Sequence, residues 1–150
     1  MRRRIAVLAL LVAAGIPAEA NGQVVSMRNL SFGTILSGTT SSVSKTSANS
    51  AQWRFTGLFA AGGNFVLTLP TTMTGPGTAI ALTFSTTDGQ RSTNNNPATG
   101  TSFNPHVSQS VSVLFNGTVY VWLGASVSPP INQQAGTYTA TVVLTTTGML

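Results

Sequence analysis

The chain of 150 residues contains no cysteine, so no disulfide staples it, and thiolate metal sites and cysteine nucleophiles are excluded. Charge is almost as scarce. Against seven Lys and Arg there are two acids, Glu19 and Asp88, and one histidine, His106. Paired-carboxylate hydrolysis and a multi-carboxylate calcium site both need clustered acids, and neither can be built here. One histidine cannot hold zinc alone. A Ser-His-Asp arrangement would have to join His106 and Asp88 to one of many serines, and the chain has no G-x-S-x-G elbow. No catalytic, cofactor-binding or metal-binding residues are therefore expected. Asp88 before Gly89 and His106 after Pro105 read as turn residues.

Long apolar runs are also missing. The run from Ile5 to Ile16 is 12 residues, and at about 1.5 Å per residue it falls short of a hydrocarbon core roughly 30 Å thick. It follows Arg2, Arg3 and Arg4 and precedes Pro17 and Ala18-Glu19-Ala20, the pattern of a secretory signal peptide over residues 1–20. Cleavage after Ala20, at a site marked by Ala18, Ala20 and Asn21, leaves residues 21–150 as one domain with no membrane span. That domain keeps Arg28, Lys45, Arg54 and Arg91 against Asp88, a net charge of +3 (four cations less one carboxylate). The cations are scattered, with no run to follow a phosphate backbone, so nucleic acid is not an expected partner. Hydroxyls replace charge: 16 Ser and 23 Thr, with 10 Asn, supply the hydrogen-bonding surface of an exported protein.

Apolar residues alternate with Thr and Ser at period two, and no window sustains helical spacing. The pairs Leu30/Phe32 and Trp53/Phe55 are followed by Phe65/Leu67/Leu69, Ile80/Leu82/Phe84, Val111/Val113/Phe115 and Val119/Val121/Leu123. Asn116-Gly117 reads as a hairpin turn, and Tyr138, Ala140, Val142 and Leu144 as one closing strand. Seven or eight short strands in 130 residues predict an all-β fold of two packed sheets. From Thr86 to Pro105 runs a polar stretch with Asn94, Asn95 and Asn96, read as a loop or the excursion of one hairpin and as a candidate contact surface. Tyr120 and Trp122 share the face opposite Val119, Val121 and Leu123. Either that strand is covered on both sides, or the two aromatics form a candidate partner surface. Trp53, in phase with Phe55, reads as core. The sequons at Asn29 and Asn116 matter only in a eukaryotic secretory pathway.

Three motifs in order carry a resemblance: Leu30-Ser31-Phe32-Gly33-Thr34-Ile35, the Phe65 to Pro70 strand, and Gly136-Thr137-Tyr138-Thr139-Ala140-Thr141-Val142. They are similar to the L-x-F-G-x-I, F-x-L-x-L-P and G-x-Y-x-x-x-V pattern of the domain of unknown function 4402 family. That family looks related to the spore coat U-like secreted pilin domains of archaic chaperone-usher systems. The resemblance implies an immunoglobulin-like, pilin-like sandwich in the periplasm or on the surface of a Gram-negative bacterium, in some relatives missing its last strand. It implies a non-enzymatic structural or adhesive subunit whose partners are other pilin-like subunits, a periplasmic chaperone and an usher. A strand from a partner would fill a groove between the sheets, with Leu30 and Phe32 on one wall and Tyr138, Ala140, Val142 and Leu144 on the other. Residues 21–28 offer only Val25 and Met27 in register, against the about ten residues a donor strand needs, which leaves a minor or terminal subunit open. The other reading is a self-contained secreted module that binds carbohydrate or protein and does not polymerise.

Overall fold

The alternation of apolar and hydroxyl residues emerges as strands with one face turned inward, in a computed structural model that describes residues 4–8, 12–13, 23–57, 59–111 and 117–149. In chain order the strands are β1 (Arg4–Leu8), β2 (Val12–Ala13), β3 (Gln23–Arg28), β4 (Ser31–Leu36), β5 (Ser41–Val43), β6 (Ala51–Thr56), β7 (Phe59–Thr68) and β8 (Thr72–Met73). There follow β9 (Ile80–Thr83), β10 (Gly89–Ser92), β11 (Thr101–Phe103), β12 (Gln109–Ser110), β13 (Thr118–Leu123), β14 (Ala125–Ser128), β15 (Thr137–Tyr138) and β16 (Val143–Met149). A single 3-10 turn at Pro97–Thr99 is the helical element among the described residues, and no helix there is long and apolar enough to cross a membrane.

One sheet has the order β11-β10-β13-β6-β3. Opposite it lies β12-β7-β16-β2, with smaller groups β15-β1-β4 and β5-β14-β9-β8. Phe65 of β7 ties the layers together, its ring 5.4 Å from Phe55 of β6 and 5.5 Å, edge-on, from Phe103 of β11. Such tilted and edge-to-face contacts suit the aromatic quadrupole and fill the space between two pleated sheets. Around them Leu30, Trp53, Ile80, Val121, Leu123 and Tyr138 are fully buried. The chain is an all-β sandwich.

Strands are more numerous and shorter than the alternation suggests, because the chain changes sheets in mid-run. β13 pairs with β6 and β10, yet one residue later β14 pairs with β5 and β9. The hinge is Gly124, where a Cβ would stand 2.4 Å from the Val43 carbonyl oxygen and 2.7 Å from the Lys45 nitrogen. Both are backbone atoms that cannot swing aside. Gly124→Ala should therefore cost about 1–3 kcal/mol, as overpacking does, and lower the melting temperature by roughly 3–10 °C in thermal unfolding.

One expectation needs correction. Tyr138, Ala140, Val142 and Leu144 do not share one strand: β15 ends at Tyr138, and Thr139 turns to a bridge with Thr74, donating to and accepting from it at 2.9 and 2.8 Å. β16 resumes only at Val143. Of the two readings of the 86–105 stretch, the excursion of one hairpin is the one found. Within it β10 and β11 pair as a hairpin, Gly89 opposite Phe103 and Arg91 opposite Thr101, around the turn that Asn96 caps. Val113, Phe115 and Asn116, like Ala18, Ala20 and Asn21 at the expected cleavage site, lie outside the described residues.

Candidate functional site

β4 and the strands at residues 137–149 are not paired with each other; β1 lies between β15 and β4. On one side β1 runs antiparallel to β4, with Arg4 opposite Leu36, Ile5 opposite Ile35, Ala6 opposite Thr34, Val7 opposite Gly33 and Leu8 opposite Ser31. On the other it runs parallel to β15, with Ala6 beside Thr137 and Val7 beside Tyr138. Six residues further on in both segments, Val12 and Ala13 of β2 lie beside Val143 and Leu144 of β16, again in parallel. The register is thus the same for both pairs. These are the parallel pairings of an otherwise antiparallel set.

Backbone N–H and C=O groups facing this lane are satisfied by residues 4–8 and 12–13, which fall in the stretch read as signal peptide. Without residues 4–8 and 12–13, the edges of β4, β15 and β16 would carry a row of unpaired donors and acceptors, a template for another strand. The expected groove residues lie in or beside the strands that flank this lane. Phe32 belongs to β4 with Leu30 just ahead of it, Tyr138 belongs to β15, Val142 immediately precedes β16 and Leu144 belongs to it. All five are buried in the common core, with Ala140 partly buried against it. At Gly33 the backbone has φ +67°, beside the shift in register between Val7 and Leu8. Only glycine takes that conformation freely, which accounts for the glycine of the Leu30-Ser31-Phe32-Gly33 motif.

Tyr138 is pinned from the opposite side. Its hydroxyl donates to the Gln134 carbonyl at 2.9 Å and accepts from Gln133 Nε2, which also donates to the Thr78 carbonyl at 2.7 Å. A Cβ on Gly75 or Gly77 would stand 2.6 Å from the ring or the hydroxyl. This clamp, unforeseen in the sequence, had one visible mark in the Gly75-Pro76-Gly77 triplet.

The aromatic pair is not an open platform. Tyr120 and Trp122 do stack, with ring centroids 6.0 Å apart, but Trp122 is only 1% exposed. It sits between Gln90 and Gln52 on neighbouring strands. Gln52 Nε2 donates to Asn95 Oδ1 at 2.6 Å and Gln90 Nε2 to the Pro97 carbonyl at 2.9 Å, so the polar turn is tied down on both flanks of the indole. The strand is covered on both sides at Trp122, and Trp122 is withdrawn from any partner surface. Tyr120, half-buried beside Arg54, keeps some exposure.

The same polar stretch walls a cavity of about 400 Å³. Its floor is Val111 and Val119, and its rim includes Arg91, Asn94, Thr99 and Thr101. A second opening of about 390 Å³ lies by Lys45 and Asp88. Asp88 Oδ2 accepts from the Ser85 backbone at 2.7 Å, and His106 Nε2 lies 2.8 Å from the Phe84 carbonyl, contacts that brace turns. Among the described residues no three of His, Cys, Asp or Glu gather in a way that could hold a metal.

Compared with known proteins, the chain matches no family model and no curated sequence.

Proposed function

We propose that this chain is an exported, non-enzymatic structural or adhesive subunit of the bacterial surface, an immunoglobulin-like sandwich of the pilin type that assembles by strand complementation. One observation carries the reading: among the described residues β4 and β15 are joined through residues 4–8, while residues 12–13 cover the outer edge of β16. Once those residues are removed with the signal peptide, the sheet wants one strand. A strand supplied by a chaperone or a neighbouring subunit would restore the backbone hydrogen bonds and seat alternate side chains over Phe32 and Leu144. The resemblance to the domain of unknown function 4402 family and to spore coat U-like pilins points the same way. Residues 23–28 are already committed, since β3 pairs with β6 along Gln23 to Arg28. They are not free to donate, which suits a minor or terminal place in an assembly.

Size-exclusion chromatography with light scattering, on the chain exported to a periplasm without a dedicated chaperone, tests this. Aggregation or degradation cured by co-expressing a chaperone or donor strand is the expected result. A well-behaved monomer of residues 21–150 would mean that the sheets close without help, and would favour the self-contained binding module.

A further inference from the structure

The cavity walled by residues 91–101 is a site that strand assembly does not use. It opens at the β12 edge of the β12-β7-β16-β2 sheet, where Ser110 of β12 contributes to its wall, whereas the strand lane runs along β2 at the other edge. β7 and β16 separate the two, so a strand in the lane leaves the cavity open.

Its chemistry is selective. The floor is apolar and buried, Val111 at 3% and Val119 at 8% exposure. The rim carries the neutral hydroxyls and amide of Ser92, Asn94, Thr99 and Thr101. Arg91 is the one cation lining it among the described residues, and it donates from one nitrogen to the Ser110 carbonyl at 2.6 Å. A guanidinium has five N–H donors, so most of its capacity remains for a ligand. Among the described residues no carboxylate lines this cavity, since Asp88, the one acidic side chain beyond residue 20, belongs to the other opening. Apolar floor, hydroxyl and amide rim, and an uncompensated guanidinium match a polyhydroxylated ring bearing a carboxylate. The volume lies within the roughly 300–1,000 Å³ that small-molecule sites occupy.

We infer that this cavity binds an acidic sugar, its carboxylate on Arg91, its hydroxyls on the Ser, Thr and Asn rim, and its C–H face on Val111 and Val119. Display on subunits joined through the opposite edge would then present the same sugar site repeatedly, raising avidity for a polysaccharide without any further contact.

Isothermal titration of the full exported chain with trigalacturonate and with neutral galactotriose tests the inference, at low and at high salt. The acidic trimer should bind about tenfold or more tightly over the neutral one, as one charge-assisted pair allows, and should weaken in salt. Arg91→Met should abolish that preference, Arg91→Lys should keep part of it, and Asn94→Ala, on the exposed rim away from the Ser110 contact, should weaken both sugars with unchanged thermal unfolding. Absence of binding by either trimer, equal binding of the two, or an Arg91→Met chain that still prefers the acid would each overturn it. None of these outcomes bears on strand assembly, which is read by light scattering.

Discussion

Residues 21–150, produced without the first twenty, should melt well below the full chain, and a synthetic peptide of residues 4–13 should restore most of the difference. The peptide carries the segment whose backbone bridges β4 to β15 and pairs with β16, so its removal strips hydrogen-bond partners from three strands at once. A ligand that binds only the folded state stabilises it by about 2.7 kcal/mol at a hundredfold excess over its Kd. For a domain of this size that is a rise of roughly 5–10 °C, growing with peptide concentration. A peptide with Ala6→Pro should give no rise, because proline lacks the N–H that the middle of the strand must offer. A truncated chain that melts with the full one and ignores the peptide would show that β4 and β16 close on each other, and strand complementation would be abandoned.

Trp122→Ala should be nearly as severe, for a different reason. The indole lies on the outer face of its sheet, yet it is enclosed by Gln90, Gln52 and the turn they hold. Truncating a buried tryptophan costs about 3–5 kcal/mol, which for this domain lowers the melting temperature by roughly 10 °C or more. Tyr120→Ala, at a half-exposed position on the same strand, should cost less than half as much. Thermal unfolding of the two variants side by side separates a structural role from a recognition role. A Trp122→Ala chain that melts with its parent would restore the indole as a contact for partners.

Much of the architecture was legible from local pattern. The period-two alternation of Trp53 and Phe55, of Phe65 and Leu67, and of Val119, Val121 and Leu123 placed each of these residues in the core, because a half-buried strand has no other way to hide them. Where the pattern misled, a distant partner was responsible. The Tyr138 to Leu144 run alternates without a break, but Thr139 finds a better backbone partner in Thr74, some 65 residues away in the chain. Tyr120 and Trp122 look alike in sequence; what divides them is that Asn95 and Pro97 lie by the glutamines flanking only one of them.

By itself the sequence determined an all-β chain without cysteine, with too few acids for carboxylate chemistry and a hydroxyl-rich surface, because composition and side-chain period act residue by residue. Only the tertiary structure decided that residues 4–8 bridge β4 and β15 while residues 12–13 pair with β16, that Trp122 is covered, and that Arg91 overhangs a cavity floored by Val111 and Val119. Each of these joins residues far apart in the chain. Strand order and register follow from which edges find hydrogen-bond partners once the whole sandwich has closed, and no local pattern records that choice.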